Sequence, residues 1–186
     1  MQDFLFYLLL GLAISGLTFY LNKGAAKSIN QDDEGFTNLK MPKLYAIIGV
    51  LGLVGGAIFL GSFLVVEDID VVTTVISLIL CLSILWGLGI ICLLWYFNHT
   101  LKFDEFSLEV VNVYGKQTKI YWQDITFMKF KPFSGLLILK DENNQKIAIH
   151  QHLVGLSAFT SMIDLKTSFN SEELKMPVSK PFIKGF

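Results

Sequence analysis

Residues 44–97 read LYAIIGVLGLVGGAIFLGSFLVV (44–66), EDID (67–70) and VVTTVISLILCLSILWGLGIICLLWYF (71–97). Two uncharged apolar runs are joined by four residues, three of them acidic. Each run is long enough, at 1.5 Å per residue, to cross about 30 Å of hydrocarbon. The connection is too short for anything but an antiparallel transmembrane hairpin. The second run would reach about 40 Å as one helix, so it should tilt or project from the bilayer.

Toward the N-terminus, Phe4 to Leu21 is a third uncharged run. It follows Met1-Gln2-Asp3, which is acidic, and precedes Lys23 and Lys27. A cleaved signal peptide has its basic residues before the apolar run, so this order predicts a retained anchor with its N-terminus outside. The expectation is three transmembrane helices, at about 4–21, 44–66 and 71–97, within a membrane region 1–97. Lys23, Lys27, Lys40 and Lys43 lie between the first two spans, whereas 1–3 and 67–70 carry no lysine. The positive-inside rule then places 23–43 and everything after residue 97 in the cytoplasm of a bacterial cell. Tyr20, Tyr45, Trp95 and Tyr96 fall near those same ends, where amphipathic rings favour the interface.

The chain has 186 residues, 53% of them hydrophobic, and a mean hydropathy of +0.55. No predicted span contains Asp, Glu, Lys or His. Such groups mark proton relays and ion pathways, so the pattern argues against a pump or transporter and against an intramembrane enzyme. Net charge is −1 and points to no nucleic-acid partner. All 15 basic residues are lysine, so the planar arginine fork for bidentate phosphate recognition is absent. Cys81 and Cys92 share one face of the third span and read as apolar thiols. Gly52 and Gly56 form GxxxG, and Gly11 with Ser15 is a second small-xxx-small pair. Such pairs let backbones approach closely, either within one chain or in a homo-oligomer.

Residues 23–43, with Asp32-Asp33-Glu34 and Gly35, read as a solvated loop. After residue 97 the period changes to two. Thr100–Phe103, Phe106–Val113, Thr118–Trp122, Ile125–Phe130, Leu136–Leu139 and Lys146–Ile149 are six strand-like runs separated by polar turns. From Ser157, a plausible N-cap, Phe159, Met162, Ile163 and Leu165 approximate helical spacing. The expected domain, 98–169, is a small antiparallel sheet or barrel closed by a C-terminal helix. The tail 170–186, with Pro177 and Pro181, reads as extended.

This segment resembles the bacterial PH-like domain. The resemblance rests on Leu101-Lys-Phe-Asp104, Val113-Tyr-Gly115, Ile120-Tyr-Trp-Gln-Asp-Ile125 and the stretch from Lys129 to Asp141. It covers about two-fifths of the chain and implies a seven-stranded fold beside membrane spans. Six runs are legible here, one fewer. It does not carry a phosphoinositide site with it, because the first turn is Asp104-Glu105, acidic where lipid-binding relatives are basic.

Lys129, Lys131 and Phe133, extended by Lys116 and Lys119, form the candidate patch toward membrane lipids or a partner. The plainer reading of the same residues is a solvated strand edge with Phe130 and Phe133 in the core. His150-x-His152 would point both rings to one side of a strand, but no cysteine is nearby and His99 is distant in sequence, so the pair reads as a partly exposed polar strand edge. No catalytic motif, cofactor loop or metal signature is present. The expected function is a membrane-anchored binding or scaffold module for a protein partner or a second copy. An accessory or immunity-type protein acting through its spans, and a membrane enzyme with an unrecognised site, are the alternatives.

Overall fold

The computed structural model describes residues 2–27, 32, 35–63 and 70–177. The predicted end of the second span at Val66, the connection Glu67 to Ile69, Asp33-Glu34 and the tail beyond Pro177 lie outside the described residues.

Helix α1 spans Gln2–Ala25, α2 spans Lys43–Phe63 and α3 spans Val71–Asn98. Among the described residues, α2 and α3 are the helices long and apolar enough to cross a membrane. Their outer surfaces are apolar and uncovered: Ile47, Leu51, Val54 and Ile58 on α2, and Ile76, Ile79, Leu80 and Leu88 on α3, are exposed. The two helices pack as a pair through small residues. A Cβ placed on Gly52 would stand 2.8 Å from the Leu85 carbonyl oxygen and 3.1 Å from Gly89 Cα. A Cβ on Gly56 would run into the Trp86 indole, whose Nε1 donates to the Leu53 carbonyl at 3.2 Å. Gly52 and Gly56 therefore face the neighbouring helix of the same chain, with Gly89 as the reciprocal small residue. A Cβ on Gly11 meets nothing within 4 Å, and Ser15 is exposed.

This contrast makes an expected result. Gly52→Leu should cost about 1–3 kcal/mol by driving a side chain into backbone. Gly11→Leu should stay within about 0.5 kcal/mol. Thermal unfolding of the purified chain in mild detergent measures both; equal losses at the two positions would refute the assignment of the α2–α3 seam.

The β region comprises β1 (Thr37–Lys40), β2 (Thr100–Phe103), β3 (Ser107–Val111), β4 (Gln117–Tyr121), β5 (Ile125–Lys131), β6 (Leu136–Asp141) and β7 (Lys146–His150). They form two antiparallel sheets, ordered β1-β2-β3-β4 and β5-β6-β7, with helix α4 (Leu156–Lys166) after them. A single 3-10 turn, Trp122–Asp124, carries the chain from one sheet to the other. The fold class is thus α+β.

Three expectations are corrected. First, 23–43 is not wholly a solvated loop: Thr37–Lys40 is a strand, paired with β2 in the register Lys40 to Thr100 and Thr37 to Phe103. Leu39 is 0% exposed and Met41 4%, so this segment supplies core. The β unit therefore does not begin at residue 98. Second, the tail is not simply extended: Ser171 donates through its backbone amide and hydroxyl to Asp164, and Leu174 and Met176 pack against the core. Third, α4 is not capped by Ser157. Its N-cap is Gly155, whose φ of 82° is the left-handed conformation that glycine adopts without penalty. Ser157 lies buried in the first turn, and its hydroxyl has no hydrogen-bond partner.

The core lies between the sheets and α4. Leu101, Leu108, Ile120, Leu137, Leu139, Ile149, Phe159 and Ile163 are fully buried or nearly so. Trp122, at 3% exposure, stacks obliquely on Phe159 with ring centroids 5.6 Å apart and donates from Nε1 to the Asp104 carbonyl at 2.9 Å. An indole needs a partner for its N–H when buried, and this bond supplies it.

Candidate functional site

Because every pairing is antiparallel, successive turns alternate between two ends of the β unit. One end abuts the helices. Asn98 donates to the Val113 carbonyl at 2.7 Å, Val154 N to Lys40 O at 2.9 Å, and Gly155 N to Gly24 O at 3.0 Å. Gln151 N donates to Gly135 O at 2.8 Å, which brings the β5–β6 turn to the same end. The charges sort with the ends. The helix-side segments 23–27, 40–43, 98–100, 112–116, 131–135 and 151–155 contain Lys23, Lys27, Lys40, Lys43, Lys116 and Lys131 and no carboxylate. The far turns, the strand ends beside them and the end of α4 hold Asp104, Glu105, Asp124, Asp141, Glu142 and Asp164 together with Lys140, Lys146 and Lys166.

The predicted patch is only partly assembled. Phe133 sits fully exposed at the tip of the β5–β6 turn, not in the core, while Phe130 is buried. Lys131 is exposed at the helix-side end of β5 and Lys129 is exposed two residues back along the strand. Lys116 closes the β3–β4 turn at the same end, where Asn112 Oδ1 accepts from the Tyr114 and Lys116 amides at 2.9 and 3.0 Å. Lys119 does not join them: it lies mid-strand in the other sheet, opposite Glu109, with its Nζ 5.5 Å from the Tyr121 ring centroid. Tyr114, exposed at the tip of the β3–β4 turn, completes an aromatic and basic rim that the sequence reading did not single out.

A second feature at this end also went unread. A cleft of about 850 Å³ opens between the end of α1, β1 and the start of α2. Lys23, Lys27, Lys40 and Lys43 line it, with Tyr20, Met41, Pro42 and Val154 supplying apolar wall. Among the described residues, no carboxylate lines it. The four lysines were legible only as a topology signal.

The histidines form a third group, and here the expected polar strand edge is corrected. His99 is 1% exposed and His150 8%, both buried where the helices meet the sheets. His99 Nδ1 donates to the Val111 carbonyl at 2.9 Å, so Nε2 is bare and accepts the His150 amide at 3.3 Å. His150 Nδ1 in turn accepts the His152 amide at 3.2 Å. Trp95 lies 4.6 Å, centroid to centroid, from both His99 and His150, and Tyr45 shares a 2.7 Å hydrogen bond with His152. Burial lowers His99 to about 4, against the raising effect of its Val111 bond, and lowers His150 to about 3, helped by the neighbouring His152 and His99. Among the described residues, no three His, Cys, Asp or Glu side chains converge to hold a metal ion.

At the far end, Glu105, Phe106, Tyr121, Gln123 and Lys166 surround a cleft of about 440 Å³ floored by Trp122. Phe106 and Tyr121 are exposed there. No protein family, curated protein or solved structure matches the chain.

Proposed function

We propose that the chain is a membrane-anchored binding module that presents a PH-like domain to a protein partner, or to a second copy, at the cytoplasmic face. The observation that carries this reading is the place of the α2–α3 hairpin. It is inserted between β1 and β2, which pair directly with each other. The tether is then part of the domain, and the helix-side rim has one fixed attitude to the bilayer. With β1 counted, the described strands number seven and are followed by a helix, the count the PH-like resemblance implies, which supports this reading. On this reading α1 is the third span, the N-terminus lies outside, and the lysine-rich segments lie inside.

The charge sorting supports the same orientation. Lys131, Phe133, Tyr114 and Lys116 meet the lipid surface, where each lysine contributes about 1 kcal/mol and exposed rings suit the interface. Lys129 stands further back and adds less. The far end, with Phe106 and Tyr121 exposed, is held away from the bilayer and is left for a protein. Action through the spans remains the second reading. It draws on Gly11 and Ser15, since the Gly52–Gly56 face is already filled by α3.

A photo-crosslinking amino acid at Phe133 should give lipid adducts in intact cells, and one at Phe106 should give protein adducts. Lipid adducts at Phe106, or no protein adduct at Phe106 or Tyr121, would defeat the proposal.

A further inference from the structure

We propose that the cleft between α1, β1 and the start of α2 holds one phospholipid with an anionic headgroup, its phosphate among Lys23, Lys27, Lys40 and Lys43. The inference rests on the reading of these helices as membrane spans and adds a specific ligand to it.

Charge comes first. Four lysines converge on one cleft with no described carboxylate among its lining residues. Lys23 lies in the last turn of α1, where a cation is favoured by the helix dipole. That explanation fails for Lys43. It opens α2, at the positive end of a helix dipole, and the first turn of α2 has no acidic residue. At Lys43 the ammonium and the helix N-terminus therefore add in sign, and no described carboxylate lines the cleft.

The remaining wall decides what kind of anion. Tyr20, Met41, Pro42 and Val154 are apolar or amphipathic, so the cleft is basic on one side and greasy on the other. A free inorganic anion would use only half of it. Its volume, about 850 Å³, is that of a site for a sizeable ligand rather than a lone phosphate. Its position at the ends of two apolar helices lets acyl chains continue along them. Lysine binds phosphate as a point charge, so recognition should follow headgroup charge rather than headgroup shape.

The full chain, exchanged in detergent into equimolar phosphatidylglycerol and phosphatidylcholine, should retain one phosphatidylglycerol per chain by native mass spectrometry. Lys23→Gln with Lys27→Gln, or Lys40→Gln with Lys43→Gln, should lower that retention by on the order of tenfold for each pair. Asn38→Trp should lower it too. Asn38 is an exposed lining residue on β1, so the indole fills the cleft while every lysine, and hence every topology signal, stays in place. Lys119→Gln with Lys146→Gln, both exposed and outside the helix-side rim, should leave it unchanged. Equal retention of the two lipids, unchanged retention in Asn38→Trp, or displacement of the lipid by millimolar inorganic phosphate would overturn the proposal. Failure of the membrane reading itself would show separately, as a chain that stays in solution without detergent.

Discussion

Expressed alone, residues 98–169 should fail to fold. Residues 35–177, with 43–97 replaced by a short glycine–asparagine linker, should form a soluble, cooperatively unfolding β protein. The reason is β1. Without it β2 becomes an edge strand, and the pocket filled by Leu39 and Met41 opens to water. Leucine truncation in a packed core costs about 2–5 kcal/mol. Small domains have only about 5–15 kcal/mol in total. Losing the strand's hydrogen bonds as well leaves little. The graft is geometrically simple, because Lys40 already lies opposite Thr100 in an antiparallel register. Trp122 reports the outcome, since its buried, Phe159-stacked indole should emit at short wavelength only in the folded domain. A native-like Trp122 signal and a sharp unfolding transition from 98–169 alone would show that β1 is dispensable. In the full chain, Leu39→Ala should reproduce about 2–5 kcal/mol of the loss.

Acid should loosen the joint between helices and sheets. His99 Nε2 and His150 Nδ1 each accept a backbone N–H, so protonating either nitrogen sets donor against donor in a buried place. The folded values near 4 and 3 lie below the ordinary 6.5. Between these limits the unfolded chain binds more protons than the folded one. Stability is therefore full above about pH 6.5, falls as pH drops through that value, and goes on falling toward the folded values. At pH 5 each histidine contributes a loss of about 2 kcal/mol, and the two share a hydrogen bond, so the sum is about 2–4 kcal/mol. His152, also lowered by burial, adds in the same direction. Melting of the full chain in detergent at pH 7.5 and pH 5 tests this, with His150→Phe as the comparison. The wild type should melt several degrees lower in acid, and the variant should show a shallower pH slope. Equal melting temperatures at the two pH values would show that the histidine joint carries no such load.

What the sequence made legible follows the range of the interactions. The apolar runs of α2 and α3 are local and uninterrupted, and they were found to within a few residues. Between polar turns, β6 shows as the continuous apolar run Leu136–Leu139 and the other strands after α3 as short alternating runs, so local pattern exposes them. Thr37–Lys40 alternates as well, but over four residues with Leu39 as its one large apolar side chain. Its partner, β2, lies beyond both hairpin helices, so nothing nearby marks it as a strand. The histidine joint failed to register for the same reason: His99 and His150 are 51 positions apart and meet only through folding. Gly52 and Gly56 were visible as a motif, whereas their counterpart Gly89 has no small residue four positions away to advertise it. The four lysines were read for sign alone. Their convergence needs the return of the chain from α1 to β1, which no periodicity encodes.

The insertion of α2 and α3 between paired strands has a consequence for biosynthesis. On the proposed topology, β1 leaves the ribosome before either hairpin helix and must wait for β2. An even number of crossings returns the two strands to the same compartment; a single crossing leaves them on opposite sides of the bilayer. A nascent chain in which only one helix has integrated can therefore never close its sheet, and it keeps Leu39's partners exposed to chaperones and proteases. Closure of the domain acts as a parity check on membrane integration, made by the protein's own hydrogen bonds.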